Sequence, residues 1–121
     1  MLSYTKVVDE LLTVIPELKP HFEEECKWWD EILQHIVFGD VVVPFVLELL
    51  SGESEQKTLE RMFAFFERMA TSSDDMVSEL LGVSVLEQLG DDPDILSKAV
   101  RYMGSSTREL SNAVEKGLGR K

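Results

Sequence analysis

Apolar residues recur at helical spacing along almost the whole chain. Tyr4, Val7, Val8, Leu11, Leu12 and Ile15 share one stripe, with Ser3 placed as an N-cap and Pro16 closing the run. Pro20 suits the first turn of a second helix, whose buried stripe is Phe22, Cys26, Trp29, Leu33, Ile36 and Val37 and which ends at Gly39. Asp40 then caps a third segment, Val41 to Leu50, that is apolar on nearly every side and so belongs at the centre of a fold. The triplet Val41, Val42, Val43 also suits a short strand, but no other stretch offers it a partner, and a helix is predicted. After Ser51 and Gly52, the residues Leu59, Met62, Phe63, Phe66, Met69 and Ala70 mark a fourth helix, with Glu60, Arg61, Glu67 and Arg68 outside its stripe.

Thr71 to Ser73, followed by Asp74 and Asp75, is a helix start. It combines capping hydroxyls with carboxylates where the helix dipole favours them. The fifth helix carries Val77, Leu80, Leu81, Val85 and Leu89, with Gly82 as a point where it can kink or split. Asp92 caps a sixth helix with Pro93 at its first position and Ile95, Leu96, Ala99 and Val100 inward, ending at Gly104. Ser106 to Glu109 has the spacing of a capping box for a seventh, with Leu110, Ala113, Val114 and Leu118 inward.

About seven helices with short connections predict one all-α domain over residues 1–121, an up-and-down antiparallel array with residues 117–121 as a frayed tail. Helix pairs beginning near Ser3, Asp40 and Asp74 recur about every 35 residues, which is compatible with a solenoid-like stack of the armadillo or HEAT kind. No residue-level self-similarity accompanies that spacing.

Charge changes the picture more than any other bulk property. There are 12 basic and 23 acidic residues, a net charge of −11. Residues 1–94 hold 21 acids and 6 bases (−15), and residues 95–121 hold 2 acids and 6 bases (+4). Such a surface disfavours nucleic acid and favours a basic protein partner, although acidic excess also serves solubility alone. No basic region followed by an apolar stretch opens the chain, and no apolar run in the sequence approaches the length of a membrane span. The expectation is a cytoplasmic protein with no membrane partner. The one cysteine, Cys26, sits among acids that hinder thiolate formation.

Catalytic chemistry finds little support. His21 with Glu25, and Glu31 with His35, are four residues apart, yet neither a zinc-protease helix motif nor a Cys-x-x-Cys pair exists. Gly90 to Asp94 lacks the ligand spacing of a calcium loop. No phosphate loop, nucleophile elbow or dinucleotide fingerprint appears. The reading is therefore of a chain that is not an enzyme and has no metal or cofactor. A metal protein using His21, His35 and neighbouring acids is the minor alternative.

One stretch stands out, Glu23 to Glu31. Adjacent helical positions differ by about 100°, so if Trp29 points inward with Phe22, Cys26 and Leu33, Trp28 is turned to the margin. A marginal indole ringed by Glu24, Glu25, Asp30 and Glu31 has the makeup of an interface anchor, the acids steering encounter and the ring supplying desolvated area. Packing of Trp28 against a neighbouring helix is the competing explanation. The candidate partner-binding residues are thus Glu24, Glu25, Trp28, Asp30 and Glu31. Asp74, Asp75 and Glu79 form a second acidic group that a helix cap explains better.

Several segments resemble small helical bacterial immunity proteins of polymorphic or contact-dependent toxin systems. They are Val37 to Asp40 leading into Pro44 to Leu50, Leu89 to Pro93, and Tyr102 to Thr107. The resemblance implies a cytoplasmic antidote that binds a toxin domain, often a nuclease, and blocks its active site or substrate groove. It carries no catalytic motif and transfers no functional site. A helical adaptor holding a peptide on a concave face is the alternative reading.

Overall fold

A computed structural model of the chain describes residues 2–26, 34–52 and 56–119, with the backbone alone at Glu25 and Cys26. Among these residues the protein is all-α, with seven helices and no strand. They are α1 (Val7–Val14), α2 (Lys19–Cys26), α3 (Gln34–Gly52), α4 (Gln56–Ala70), α5 (75–89), α6 (Pro93–Val100) and α7 (Ser105–Gly117).

The first helix begins later than its apolar stripe. Ser3 does not cap it; the Ser3 carbonyl accepts from Lys6 N–H at 3.1 Å, forming a turn over residues 4–6, and α1 starts at Val7. A 3-10 turn, Pro16–Leu18, then buries Leu18 and leads into α2, with Pro20 in its first turn as expected. A proline in the first turn lacks only an N–H that has no intrahelical partner there.

The largest departure from the sequence reading lies in α3. Gly39 does not end a helix and Asp40 does not begin one, because the chain runs helically from Gln34 to Gly52. Residues Val37–Val42 form a wide π turn in which Val43 N–H bonds back to the Phe38 carbonyl. The cause lies one residue further on. Pro44 has no N–H, and its ring would crowd the carbonyl four residues earlier, so a widened turn before it lets the helix continue. Read whole, α3 has a mean hydropathy of 1.6 and is long and apolar enough to cross a membrane by length and composition, which splitting it at Gly39 concealed. Here Val37, Phe38, Val41, Val42, Val43, Val46 and Leu50 lie in the protein's own core.

A second wide turn, Leu81–Leu86, lies within α5 and packs against the first. Gly82 does not split α5, which continues through this wide turn; it is buried against α7, with Leu110 and Val114 beside it. His35 and Ser84 join the two helices through a 2.9 Å contact between Nδ1 and Oγ. The core is continuous across these turns and α4, whose Met62, Phe63, Phe65, Phe66 and Met69 are all buried. Phe65 lies off the expected stripe. Arg68 covers its ring, with the guanidinium 5.2 Å from the centroid, while pairing with Glu10 of α1 at 2.8 Å.

The last helix buries a different face from the one expected. Thr107, Ser111 and Glu115 are its fully covered residues; Ala113 is exposed, Leu118 is 45% exposed, and Leu110 and Val114 are partly covered. It does not open with a capping box either. Gly104 is the N-cap, and Glu109 is exposed. The 106 and 107 N–H groups donate instead to Glu67 of α4. At its far end α7 runs to Gly117, and Gly119, at φ 73°, closes the helix by donating to the Lys116 carbonyl. That left-handed conformation suits glycine, which has no Cβ to clash.

Candidate functional site

Of the five candidate partner-binding residues, Trp28, Asp30 and Glu31 lie outside the described residues. The Glu25 backbone is in α2, and Glu24 is an exposed residue of α2.

Around Glu24 the fold supplies carboxylates that the sequence reading did not assign to this site. A groove of about 170 Å³ lies between α2 and α3, lined by His21 and Glu24 on one side and Asp40, Val41, Pro44, Phe45 and Glu48 on the other. Its floor is apolar, with the His21 and Phe45 rings 5.6 Å apart and inclined at 57°. Asp40 and Glu48 stand two turns apart on an uninterrupted helix, which brings both to the side facing α2. Their spacing to Pro44, four residues each way, was the available signal. Placing a helix boundary at Gly39 turned Asp40 into a cap and hid it.

Five other carboxylates, Glu10, Glu17, Glu67, Asp74 and Asp92, are engaged in holding helices together. Asp74 caps α5 by accepting from Met76 N–H at 3.0 Å, and also accepts from Tyr4 N–H at 2.9 Å. Asp92 caps α6 through Asp94 N–H, as its position before Pro93 predicted. Glu17 pairs with Arg61, which also donates to the Val14 carbonyl at the end of α1. The guanidinium holds the Glu17 carboxyl below its usual pKa. Burial opposes ionisation of Glu67, but hydrogen bonds from Thr107 and Ser106 outweigh it and lower its pKa as well. Among the described residues, Asp40 and Glu48 have no such structural task.

The two histidines also serve packing. His21 lies against Phe45, and His35 against Ser84 and, at 6.3 Å between rings, Tyr4. Among the described residues no three His, Cys, Asp or Glu side chains converge as a metal ion requires. What the α2–α3 groove can do is accept a cation-bearing surface, with carboxylates at the rim and an aromatic and aliphatic floor.

No curated protein and no solved structure matches this chain. A family profile does, over residues 8–119, which takes in α2 to α7 whole and all of α1 but its first residue. The chain belongs to the family described as a domain of unknown function, DUF7674.

Proposed function

We propose that this protein is an immunity protein, a cytoplasmic antidote whose acidic face on α2 and α3 binds and occludes a basic toxin domain. The observation that carries the reading is the convergence of Glu24, Asp40 and Glu48 around an apolar-floored groove, with Asp40 and Glu48 holding no other helix among the described residues. Charge held for the surface attracts a basic partner over long range and speeds encounter. A nuclease domain fits that chemistry, because proteins that bind phosphate backbones present basic grooves. Trp28 on the same segment supplies the apolar anchor in this reading.

The test is co-expression with the large product of an adjacent gene, followed by pull-down and by rescue of growth inhibition. Binding and rescue are expected. Trp28→Ala should weaken the complex by about 2 kcal/mol or more, as loss of an interface anchor does. Failure of the wild-type chain to bind or rescue overturns the reading.

A further inference from the structure

The size and lining of the α2–α3 groove narrow the choice of occupant. At about 170 Å³ it lies below the roughly 300–1,000 Å³ of small-molecule sites, so it suits one side chain rather than a metabolite or a cofactor. Val41, Pro44 and Phe45 of α3 make its floor, with the Phe45 ring half-buried and tilted against His21 of α2 at 5.6 Å. Such a floor offers an aliphatic strip for a methylene stem and an aromatic surface for whatever the stem carries.

The charge around the groove has one sign. α2 carries three acids and one lysine, and α3 carries two acids and no lysine or arginine, a net −4 across the two walls. Asp40 and Glu48 are both exposed, and among the described residues neither has a hydrogen-bond or ion-pair partner. Glu24 has a contact within the protein and adds only its field. Eight residues of helix put Asp40 and Glu48 about 12 Å apart along α3. A single cation between them does not bond both. It sits in their shared field while the floor makes the contact, which selects a head that gains from an aromatic face.

We infer that this groove receives one arginine side chain of the basic partner, its methylenes along Val41 and Pro44 and its guanidinium over the open part of the Phe45 ring. The inference rests on the proposal that the chain binds a basic protein, and it names the residue that this surface selects. Arginine fits better than lysine because its planar, weakly hydrated head stacks on aromatic rings, whereas an ammonium is compact and holds its water. The protein uses the same arrangement internally. The Arg68 guanidinium lies 5.2 Å from the Phe65 centroid with the Glu10 carboxylate at 2.8 Å. Arginine is also among the residues that most often carry binding energy at an interface.

The experiment titrates n-butylguanidinium into the full chain in parallel with n-butylammonium, which has the same stem and the other head, and follows amide NMR at two ionic strengths. Saturable shifts at Glu24, Val41, Phe45 and Glu48, with a Kd on the order of 1–10 mM for so small a probe, are expected. The ammonium should bind at least about threefold more weakly. Phe45→Leu keeps the floor apolar but removes the ring, and should erase the preference for guanidinium. The exposed pair Asp40→Asn with Glu48→Gln gives a second measure that leaves the core untouched. Its affinity for the probe should be several-fold lower at low salt and much closer to wild type at roughly 0.15 M. Glu79→Gln removes one charge from an exposed position of α5 outside the groove lining, and should change nothing.

Shifts scattered over the whole acidic surface, equal affinity for the two probes, a guanidinium preference that survives Phe45→Leu, or an affinity unmoved by the Asp40 and Glu48 pair overturns the inference. No toxin enters this assay, so the inference and the antidote proposal fail separately. A chain that neutralises a toxin yet gives no saturable shifts keeps the antidote and loses the arginine site. One that binds n-butylguanidinium as described but binds no basic protein keeps the preference of the groove and loses the partner.

Discussion

Glu67, near the end of α4, accepts hydrogen bonds from both the backbone N–H and the hydroxyl of Thr107, at 2.9 and 2.7 Å. Its other oxygen accepts from Ser106 N–H at 3.1 Å, so one carboxylate satisfies two of the open donors at the start of α7. A cap normally comes from the residue before the helix; here Gly104 stands in that place and a neighbouring helix provides the charge. α4 does the corresponding thing at the other end of the chain, where Arg61 donates to the Val14 carbonyl at the end of α1. The polar edge of α4 thus fixes the helices packed on it.

Removing the Glu67 carboxylate should therefore destabilise the whole fold. Glu67→Ala is expected to cost about 1–2 kcal/mol in urea unfolding at pH 7, the range for loss of a helix cap. The folded-state pKa of Glu67 lies below its ordinary 4.5, so its contribution is fully present above that value and declines as pH falls through the folded pKa. The gap between wild type and Glu67→Ala should accordingly narrow on acidification below about pH 4.5. A gap that stays constant down to the acid-unfolding range would show that the hydrogen bonds do not favour the ionised form.

Two buried or crowded glycines should respond in opposite directions to alanine. A Cβ at Gly104 would stand 2.6 Å from the Glu67 carboxyl carbon and oxygen, so Gly104→Ala must push Glu67 off the α7 terminus. The expected loss is comparable to that of Glu67→Ala, and the double variant should lose little more than either alone. At Gly82 the nearest atoms are a Val114 methyl at 3.6 Å and a Leu110 methyl at 3.8 Å, which is ordinary contact. Gly82→Ala should be neutral or stabilising by up to about 1 kcal/mol, since it removes backbone freedom from the unfolded chain. Thermal melts of the three variants check both halves.

How far the sequence revealed this fold depended on whether each signal was local. The caps at Asp74 and Asp92, and the buried stripe of α4, were readable because the deciding atoms lie within a few residues of one another. Gly39 misled because glycine followed by Asp40 is a common helix ending, whereas Pro44 further on made a widened, unbroken turn the better solution. The α7 start misled because its donors are met by Glu67, 40 residues away from Thr107, leaving Ser106 and Glu109 no box to form. The candidate site suffered from the same boundary. Glu24 was placed in the candidate site from its neighbours in sequence, while Asp40 and Glu48 line the same groove only because α3 is continuous and packed beside α2.

Arg61 and Glu67 bind different helices through different partners, so their effects should add. Arg61→Ala removes the pair with Glu17 and the bond to Val14, but its side chain is 41% exposed, and screening by water keeps the expected loss to about 0.5–1 kcal/mol. Combined with Glu67→Ala, the total should equal the sum to within about 0.5 kcal/mol, because the residues share no partner. Marked synergy would mean that α1 and α7 are coupled through α4 rather than held by it separately.

Asp40 and Glu48 should separate stability from binding. Both are exposed residues of α3, and their side chains hold no other helix among the described residues, so Asp40→Asn with Glu48→Gln is expected to change unfolding free energy by no more than about 0.5 kcal/mol. Neutralising them lowers the attractive potential around the α2–α3 groove, which acts mainly on the rate of encounter with a basic partner. Stopped-flow association should slow several-fold at low salt, with the difference from wild type shrinking as added salt shortens the screening length to about 8 Å at 0.15 M. Dissociation should change far less, because rim charges steer more than they hold. If the double variant instead left the on-rate and its salt dependence untouched, the carboxylates of this groove would have no part in recognition, and the acidic face would have to be sought elsewhere on the surface.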